Sequence, residues 1–257
     1  MIISTQQRLL TLSCGSQINV VPTPLRRDEA NNTPWCYTVS LSPVIIDDDD
    51  DDYRCTSSGN TLPPGANFLA TQVWPSSRIA STIIERHLDP SWRVCELGCG
   101  PGLPSLTAAM CGAKEVIATD KDVCALEMVE ASAREQGYLF GDKFRTRQFD
   151  LTSRQNELPD ADLYILSDVF ESHVVAEGAA FHVQSILSKN IKNIGSSKSN
   201  KRRVWVFAQS DRAQRETFLD MMRQTHDSSL KWSPTDTDLE DIELWLCDLD
   251  ETAVEYN

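Results

Sequence analysis

The stretch Arg93-Val94-Cys95-Glu96-Leu97-Gly98-Cys99-Gly100-Pro101-Gly102 decides the fold. A short apolar run ends in an acid and three alternating glycines, and a helical pattern follows over 103–111. This order predicts a buried parallel strand, a tight turn and a helix N-terminus. Glycines in such a turn allow positive φ and let a ligand approach the backbone. The Gly-x-Gly-x-Gly spacing differs from the dinucleotide pattern Gly-x-Gly-x-x-Gly, so the flanking segments must identify the ligand.

Strands and helices alternate along the chain on both sides of this turn. Strands are predicted at 93–97, 115–119, 143–149, 162–170 and 203–208, and helices at 70–87, 103–111, 123–136, 174–187 and 214–224. The last two predicted strands, 230–233 and 242–249, have no helix between them and predict an antiparallel hairpin. The pattern therefore predicts an α/β fold: a doubly wound, Rossmann-like sheet of seven strands, mostly parallel, with a C-terminal β-hairpin.

The N-terminal part differs from this alternating pattern. We predict two domains: residues 1–66 as an extension with short strands, and 67–257 as the ligand-binding domain. Strands at 8–13 and 17–21 predict a hairpin, and 36–41 predicts a third strand. The alternative for residues 1–27 is a transit peptide, because they contain arginines but no acid. Six consecutive aspartates at 47–52 predict a solvated loop, and a calcium site there lacks its turn glycine.

The amino-acid composition of the chain indicates which binding partners and which cell compartment to expect. The 257-residue chain has a formal net charge of −14, which disfavours binding of a nucleic acid backbone. No apolar run approaches the roughly 18 residues of a membrane span, so no membrane partner is expected. The eight cysteines show no metal-ligand spacing, so no metal is expected and the thiols are predicted to be reduced. We expect a cytoplasmic monomer, or a mitochondrial or plastid one if residues 1–27 are a transit peptide.

The acids at the strand ends limit which ligand the glycine turn can bind. Asp120 follows the glycine turn by about 20 residues, the interval at which an acid contacts ribose hydroxyls, although a helix cap is the alternative. Asp150 ends the next strand and is placed to accept from an adenine amino group, or to cap a turn. Neither a third-glycine spacing nor a P-loop lysine is present, so the nucleoside carries no phosphate to be bound. S-adenosylmethionine is such a ligand.

The motif Glu96–Gly102, an acid ending the second strand and the terminal hairpin together resemble the class I, seven-β-strand S-adenosylmethionine-dependent methyltransferases. The resemblance covers residues 67–257. Within that class, Val73-Trp74-Pro75-Ser76-Ser77 and the later segments 166–170 and 211–219 resemble the protein-lysine methyltransferase subfamily, methyltransferase family 16. The resemblance implies an N-methyltransferase whose acceptor is a lysine side chain of a protein partner.

The resemblance also implies a set of site residues. Residues implied to contact the cofactor are Trp74, Glu96, Gly98, Cys99, Gly100, Gly102, Asp120, Asp150, Leu151 and Ser167. Asp168 matches the first residue of the subfamily's Asp-x-x-Tyr motif beside the acceptor channel, and Glu171 stands where the subfamily has tyrosine. We therefore predict Asp168 and Glu171 as the catalytic residues, in an acidic pocket that attracts the lysine ammonium and raises its pKa.

Two other functions fit the same residues. One is a methyltransferase that acts on a small molecule or on another side-chain nitrogen. The other is a non-catalytic, cofactor-binding interaction protein, which the replacement of tyrosine by Glu171 and the long acidic N-terminal segment favour.

Overall fold

A computed structural model of the chain describes residues 6–26, 33–39, 62–63, 66–138, 143–192, 202–226, 228–234 and 242–247. The aspartate run at 47–52, predicted to be a solvated loop, lies outside these residues. None of the described helices combines the length and the apolarity needed to cross a membrane.

Ten strands, five helices and one short 3-10 helix make up the described part of the chain. The strands are β1 (Arg8–Thr11), β2 (Gln17–Pro24), β3 (Trp35–Val39), β4 (Arg93–Leu97), β5 (Glu115–Asp120), β6 (Phe144–Gln148), β7 (Leu163–Ser167), β8 (Arg203–Gln209), β9 (Ser233–Pro234) and β10 (Ile242–Cys247). The helices are α1 (Pro75–His87), α2 (Leu103–Met110), α3 (Val123–Glu135), α4 (His173–Lys192) and α5 (Gln214–Thr225), and the 3-10 helix is Phe68–Thr71.

Two predicted helices differ from the structure by five residues at one end. The helix predicted to begin at residue 70 begins at Pro75, because proline fits the first turn of a helix and the residue before it is held extended. The segment before it forms the separate 3-10 helix, Phe68–Thr71. At the other end of the domain, α4 continues to Lys192, five residues beyond the predicted end, into a stretch whose polar composition had indicated a loop.

Five parallel strands form the central sheet in the order β6-β5-β4-β7-β8, which confirms the predicted α/β fold. The central strand β4 pairs with β5 and β7, so that Val94 lies between Val116 and Leu163. The chain adds β5 and β6 on one side of β4 and then β7 and β8 on the other. The order therefore reverses at β4, and a crevice opens beyond the carboxyl ends of the strands there.

Alternate residues of the strands contribute to two hydrophobic clusters on opposite faces of the sheet. On β4, Cys95 and Leu97 pack in the cluster that contains Ala176, Val183 and other residues of α4 and α5. Val94 faces the other way, in the cluster that contains residues of α1, α2 and α3. Helices thus cover both faces of the sheet, as the near-continuous apolar composition of its strands requires.

The sheet is extended beyond β8 by antiparallel pairing. β10 pairs with β8 from Ile242 opposite Gln209 to Cys247 opposite Val204, and β9 pairs with β10 through Ser233 and Pro234. Because the described part of β9 is two residues long and 235–241 lie outside the described residues, the full C-terminal hairpin stays a prediction.

The strands β1, β2 and β3 form a separate antiparallel sheet, which confirms the predicted β-rich extension, and β1 pairs with β2 as the predicted hairpin. This sheet packs on α3: Tyr37 donates its N–H to Ser132 Oγ at 2.9 Å and its hydroxyl to Glu135 Oε1 at 2.5 Å. Ile18 and Val20 of β2 lie in one cluster with Met128 of α3. The extension and the central sheet therefore share a packed interface.

Helix α4 approaches the backbone after β6 very closely at Gly178. A Cβ placed on Gly178 would lie 2.1 Å from the Leu151 carbonyl oxygen and 2.8 Å from its carbon. No rotamer change can relieve a clash with backbone, so the packing of α4 against this loop requires glycine.

The substitution Gly178→Ala would raise the helix propensity of α4 but would introduce this clash with backbone. Alanine stabilises an exposed helix interior by about 1 kcal/mol relative to glycine, whereas overpacking costs about 1–3 kcal/mol or more. Because the clash is with backbone, we expect a cost at the upper end of this range, so that Gly178→Ala lowers the free energy of unfolding by about 2 kcal/mol, measured by urea denaturation. Glu177→Ala, at the exposed neighbour, should stay within about 0.5 kcal/mol of the parent. A more stable Gly178→Ala protein would contradict the close approach.

Candidate active site

The loop that joins β4 to α2 has a backbone conformation that favours glycine. Gly98, Gly100 and Gly102 have φ values of +73°, +49° and +74°. A Cβ on Gly98 would lie 2.7 Å from Val169 Cγ1, and one on Gly102 would lie 2.6 Å from Val129 Cγ2. Both the dihedral angles and the space therefore exclude larger residues, and the backbone of the loop comes to line an open cleft.

The carboxylate of Asp120 holds this loop against the end of β5. Asp120 Oδ2 accepts the Gly100 N–H at 2.8 Å, and Oδ1 accepts the Asp122 N–H at 2.9 Å. Asp120 is almost fully buried, and burial raises the pKa of its carboxyl group. Because each oxygen accepts from a backbone N–H, the carboxylate is fixed in position while it lines the cleft.

The cleft lies where the carboxyl ends of β4, β5, β6 and β7 meet, and it encloses about 820 Å³ including its opening to solvent. Of the predicted cofactor residues, those that line the cleft are Trp74, Gly98, Cys99, Gly100, Asp120, Asp150, Leu151 and Ser167. The predicted catalytic pair, Asp168 and Glu171, lines it as well. The prediction had not assigned Asn67, Leu69, Lys121, Phe149 or Arg212, which also border the cleft.

The structure corrects the prediction for Glu96 and Gly102, which do not line the cleft but support its loop from behind. Glu96 Oε2 accepts the Ser105 N–H at 2.9 Å and the Ser105 hydroxyl at 2.5 Å, which ties β4 to the first turn of α2. Glu96 is fully buried, and burial raises its pKa to about 8. Gly102 is the N-cap residue of α2.

Asp168 is held in an unusual conformation by a cation that the sequence prediction had missed. It has a φ of +57°, a strained value for a residue that is not glycine, and its side chain is fully buried. Arg212 donates from Nε to Asp168 Oδ1 and from Nη2 to Oδ2, both at 3.2 Å. The same guanidinium lies 4.8 Å from the centre of the Trp74 ring. Arg212 therefore joins three elements at one end of the cleft.

Glu171 also has a cation beside it. Lys121 Nζ lies 3.1 Å from Glu171 Oε1, and Asn67 Nδ2 donates to Oε2 at 3.4 Å. Both side chains of the ion pair are about one third to one half exposed, so the pair contributes little to stability. The expected acidic pocket is thus corrected in one respect, because each predicted catalytic acid already has a basic partner.

Asp150 caps a turn and also lines the cleft. Its Oδ1 accepts both the Thr152 N–H at 2.8 Å and the Thr152 hydroxyl at 2.7 Å, the geometry of an Asx turn. Partial burial acts to raise the pKa of Asp150, but the hydrogen bonds from Thr152 outweigh it and the pKa is lowered. Asp150 therefore caps a turn, and because it also lines the cleft, its predicted contact with an adenine amino group stays a prediction.

The donor and acceptor groups of the cleft fit S-adenosylmethionine. Asp120 offers buried carboxylate oxygens beside a loop of exposed backbone, which suits a ribose diol. Phe149 and Leu151 border the cleft with apolar side chains that suit a flat base, and Arg212, which is 28% exposed, offers a positive charge that suits the carboxylate of a zwitterion.

Comparison with known proteins gives matches of the expected class. Residues 61–157 match the family model described as ribosomal protein L11 methyltransferase. A ribosomal protein L11 methyltransferase of Thermotoga petrophila is 30% identical over 114 residues, which are 42% of this chain and 43% of that protein. A protein N-terminal and lysine N-methyltransferase, efm7, of Schizosaccharomyces pombe is 29% identical over 117 residues, which are 40% of this chain and 45% of that protein.

The resemblance to class I S-adenosylmethionine-dependent methyltransferases is confirmed. The predicted cofactor, S-adenosylmethionine, is the cofactor of that class. A solved structure of a 16S rRNA N2 G1207 methyltransferase from T. thermophilus has the same fold, with a TM-score of 0.50, 10% sequence identity, and coverage of 95% of this chain and 50% of that one. The chain spans less than half the length of the curated relatives described above.

The ion pair between Arg212 and Asp168 predicts a specific pattern of stability. Removing one partner of a buried pair leaves an uncompensated charge, which costs about 3–5 kcal/mol when burial is complete. Because Arg212 is 28% exposed, we expect Arg212→Ala to lower the free energy of unfolding by about 2–4 kcal/mol. Adding Asp168→Asn to Arg212→Ala should recover at least half of that loss, as measured by urea denaturation.

Arg145→Ala serves as the control for this double-mutant cycle, because Arg145 is exposed and its pair with Glu115 should contribute less than about 1 kcal/mol. If Arg212→Ala destabilised the protein no more than Arg145→Ala, Asp168 would not depend on Arg212.

The raised pKa of Glu96 predicts how stability changes with pH. Glu96 ionises near pH 4.5 in the unfolded chain and near pH 8 in the folded protein. Between these values the folded protein binds the extra proton, so the contribution of Glu96 to stability falls as the pH rises. Glu96→Gln keeps an acceptor for Ser105 but cannot ionise. We expect the variant to gain stability relative to the parent from pH 5 to pH 8, by roughly 2–4 kcal/mol.

Thermal or urea unfolding of both proteins across this pH range measures the difference. Glu177→Gln, at an exposed position, controls for the loss of one surface carboxylate. A constant difference between Glu96→Gln and the parent at all pH values would mean that Glu96 is ionised in the folded protein.

Proposed function

We propose that this protein is a methyltransferase that moves a methyl group from S-adenosylmethionine to a lysine side chain of a protein. S-adenosylmethionine supplies an electrophilic methyl group on a sulfonium, with a neutral thioether as the leaving group. The protein's own contribution to such a reaction is to orient the acceptor nitrogen and to exclude water.

The charge of the cleft is the observation that carries the lysine assignment. The residues that line it include four acids, Asp120, Asp150, Asp168 and Glu171, and two bases, Lys121 and Arg212. The formal charge of the lining is therefore −2. S-adenosylmethionine has a net charge of +1 from its sulfonium, ammonium and carboxylate groups. One negative charge remains after it binds, which favours a cationic acceptor over a neutral or anionic one.

A lysine must lose its proton before it can attack, because an ammonium has no lone pair. Carboxylates near an ammonium favour its charged form. The pairing of Asp168 with Arg212 and of Glu171 with Lys121 weakens that effect, because each acid is partly neutralised. In the proposed reaction Glu171 orients the amine directly, the buried Asp168 holds Arg212 in place, and the proton leaves to solvent.

The relatives support a protein acceptor. The matched Thermotoga protein is described as a ribosomal protein L11 methyltransferase, and the matched Schizosaccharomyces protein as a protein N-terminal and lysine N-methyltransferase. Each of these descriptions names a protein as the methylated molecule, which agrees with the charge of the cleft.

Labelling in a cell extract tests the proposal. The protein is incubated with extract from its source cells and with S-adenosylmethionine that has a tritiated methyl group, and labelled proteins are digested and identified by mass spectrometry. We expect label on lysine. Asp120→Ala should abolish labelling because it removes the acceptor of the Gly100 N–H, and it should raise the cofactor Kd at least about tenfold in calorimetry.

Asp220→Ala is the matched control, because it removes a carboxylate that lies on the exposed side of α5. It should leave both labelling and the cofactor Kd within about twofold of the parent. Cofactor binding without any labelled product would contradict catalysis and support a non-catalytic binding protein.

Methylation of a small molecule is the second candidate, and Arg212 is the observation that favours it. Its guanidinium borders the cleft and is 28% exposed, so it can also bind an anionic group of a small methyl acceptor. Label that appears only in the protein-free fraction of the extract would select this function.

A further inference from the structure

Large apolar side chains are exposed around the mouth of the cleft. Among the described residues, five large apolar side chains are exposed, and four of them are on segments that border the cleft. These four are Phe68, Leu69, Val123 and Val174, with exposed fractions of 42%, 41%, 48% and 61%. We call this set the apolar rim. The fifth, Leu9, is on β1 of the N-terminal sheet.

Hydrogen bonds join the three segments that contain the apolar rim. Asn67, which precedes Phe68, donates its backbone N–H to Asp122 Oδ2 at 2.5 Å, and Asp122 precedes Val123. Asn67 Nδ2 donates to Glu171, three residues before Val174. Leu69 lines the cleft itself, as does Val175 beside Val174. The rim residues therefore border one opening rather than lying scattered over the surface.

Local structure does not explain these residues. Val123 and Val174 lie in the first turns of α3 and α4, where polar and acidic residues are favoured by the free N–H groups and the helix dipole. Both are β-branched, which disfavours them in a helix, and neither is buried. An exposed apolar cluster next to a polar cleft is typical of an interaction surface.

We propose that the apolar rim docks a basic segment of the substrate protein, with apolar side chains that flank the acceptor lysine. This inference rests on the proposed function, since the lysine enters the cleft that the rim surrounds. Charge complementarity identifies the occupant: the chain has a formal net charge of −14, so a basic partner is attracted. A second copy of this chain would present the same negative charge and be repelled.

The test compares two rim variants with a matched control. The rim variants are Phe68→Ser and Val174→Ser, singly and together, and the control is Leu9→Ser, which removes the exposed apolar side chain that lies outside the rim. The probe is tritiated S-adenosylmethionine with cell extract, and the initial rate of labelling of protein is measured. The Kd of S-adenosylmethionine from calorimetry shows separately that each variant is folded and binds the cofactor.

The double rim variant is expected to lower the labelling rate at least about tenfold, with the cofactor Kd within about twofold of the parent. Leu9→Ser should leave both quantities within about twofold. If the rim variants label protein at the parental rate, the docking surface is refuted while the proposed function stands. If the parent binds the cofactor but labels no protein, the proposed function fails and the inference fails with it.

Sedimentation velocity of the parent and the double variant tests whether a second copy of this chain, rather than a substrate protein, covers the apolar rim. The parent is expected to sediment as a monomer. A parental dimer that dissociates on Phe68→Ser/Val174→Ser substitution would show that a second copy covers the rim, and it would overturn the assignment to a substrate protein.

Discussion

One buried carboxylate determines the geometry on which the cleft depends. Asp120 at the end of β5 accepts a backbone N–H from Gly100 in the loop after β4 and another from Asp122 in its own loop. The two loops that flank the switch point of the sheet are therefore held at a fixed separation. Glycine at 98, 100 and 102 is needed because the loop then runs with positive φ against Val169 and Val129. Burial raises the pKa of Asp120, yet its two N–H donors stabilise its charged form.

The opposite end of the cleft is organised by compensated charge. Asp168 is buried in a left-handed conformation, and the bidentate contact with Arg212 supplies the counter-charge that makes its burial tolerable. Because the Arg212 guanidinium also lies over Trp74, the wall formed before α1 is linked to the loop after β8. This end of the cleft is thus bounded by a contact between residues that are far apart in the sequence.

Most of the sheet was predictable because its signals are local. Strand Arg93–Leu97 and the start of helix α2 at Leu103 follow from an apolar run, a glycine turn and helical periodicity, all of which act within a few residues. Helix ends were harder: α4 runs to Lys192 although its last turn is polar. The roles of Glu96 and Arg212 were not predictable, since their partners lie nine and 44 residues away and only the crossing of elements brings them together.

The sequence by itself determined the fold class and the place of the glycine loop, because each depends on residue types at short spacing. Only the tertiary structure decided which residues line the cleft: Asp168 and Glu171 do, each beside a cation, while Glu96 lies behind the loop. The same holds for the apolar rim, whose residues come from three separate segments. The physical reason is that burial and charge pairing depend on contacts between distant segments, and these are set when the whole sheet and its helices pack.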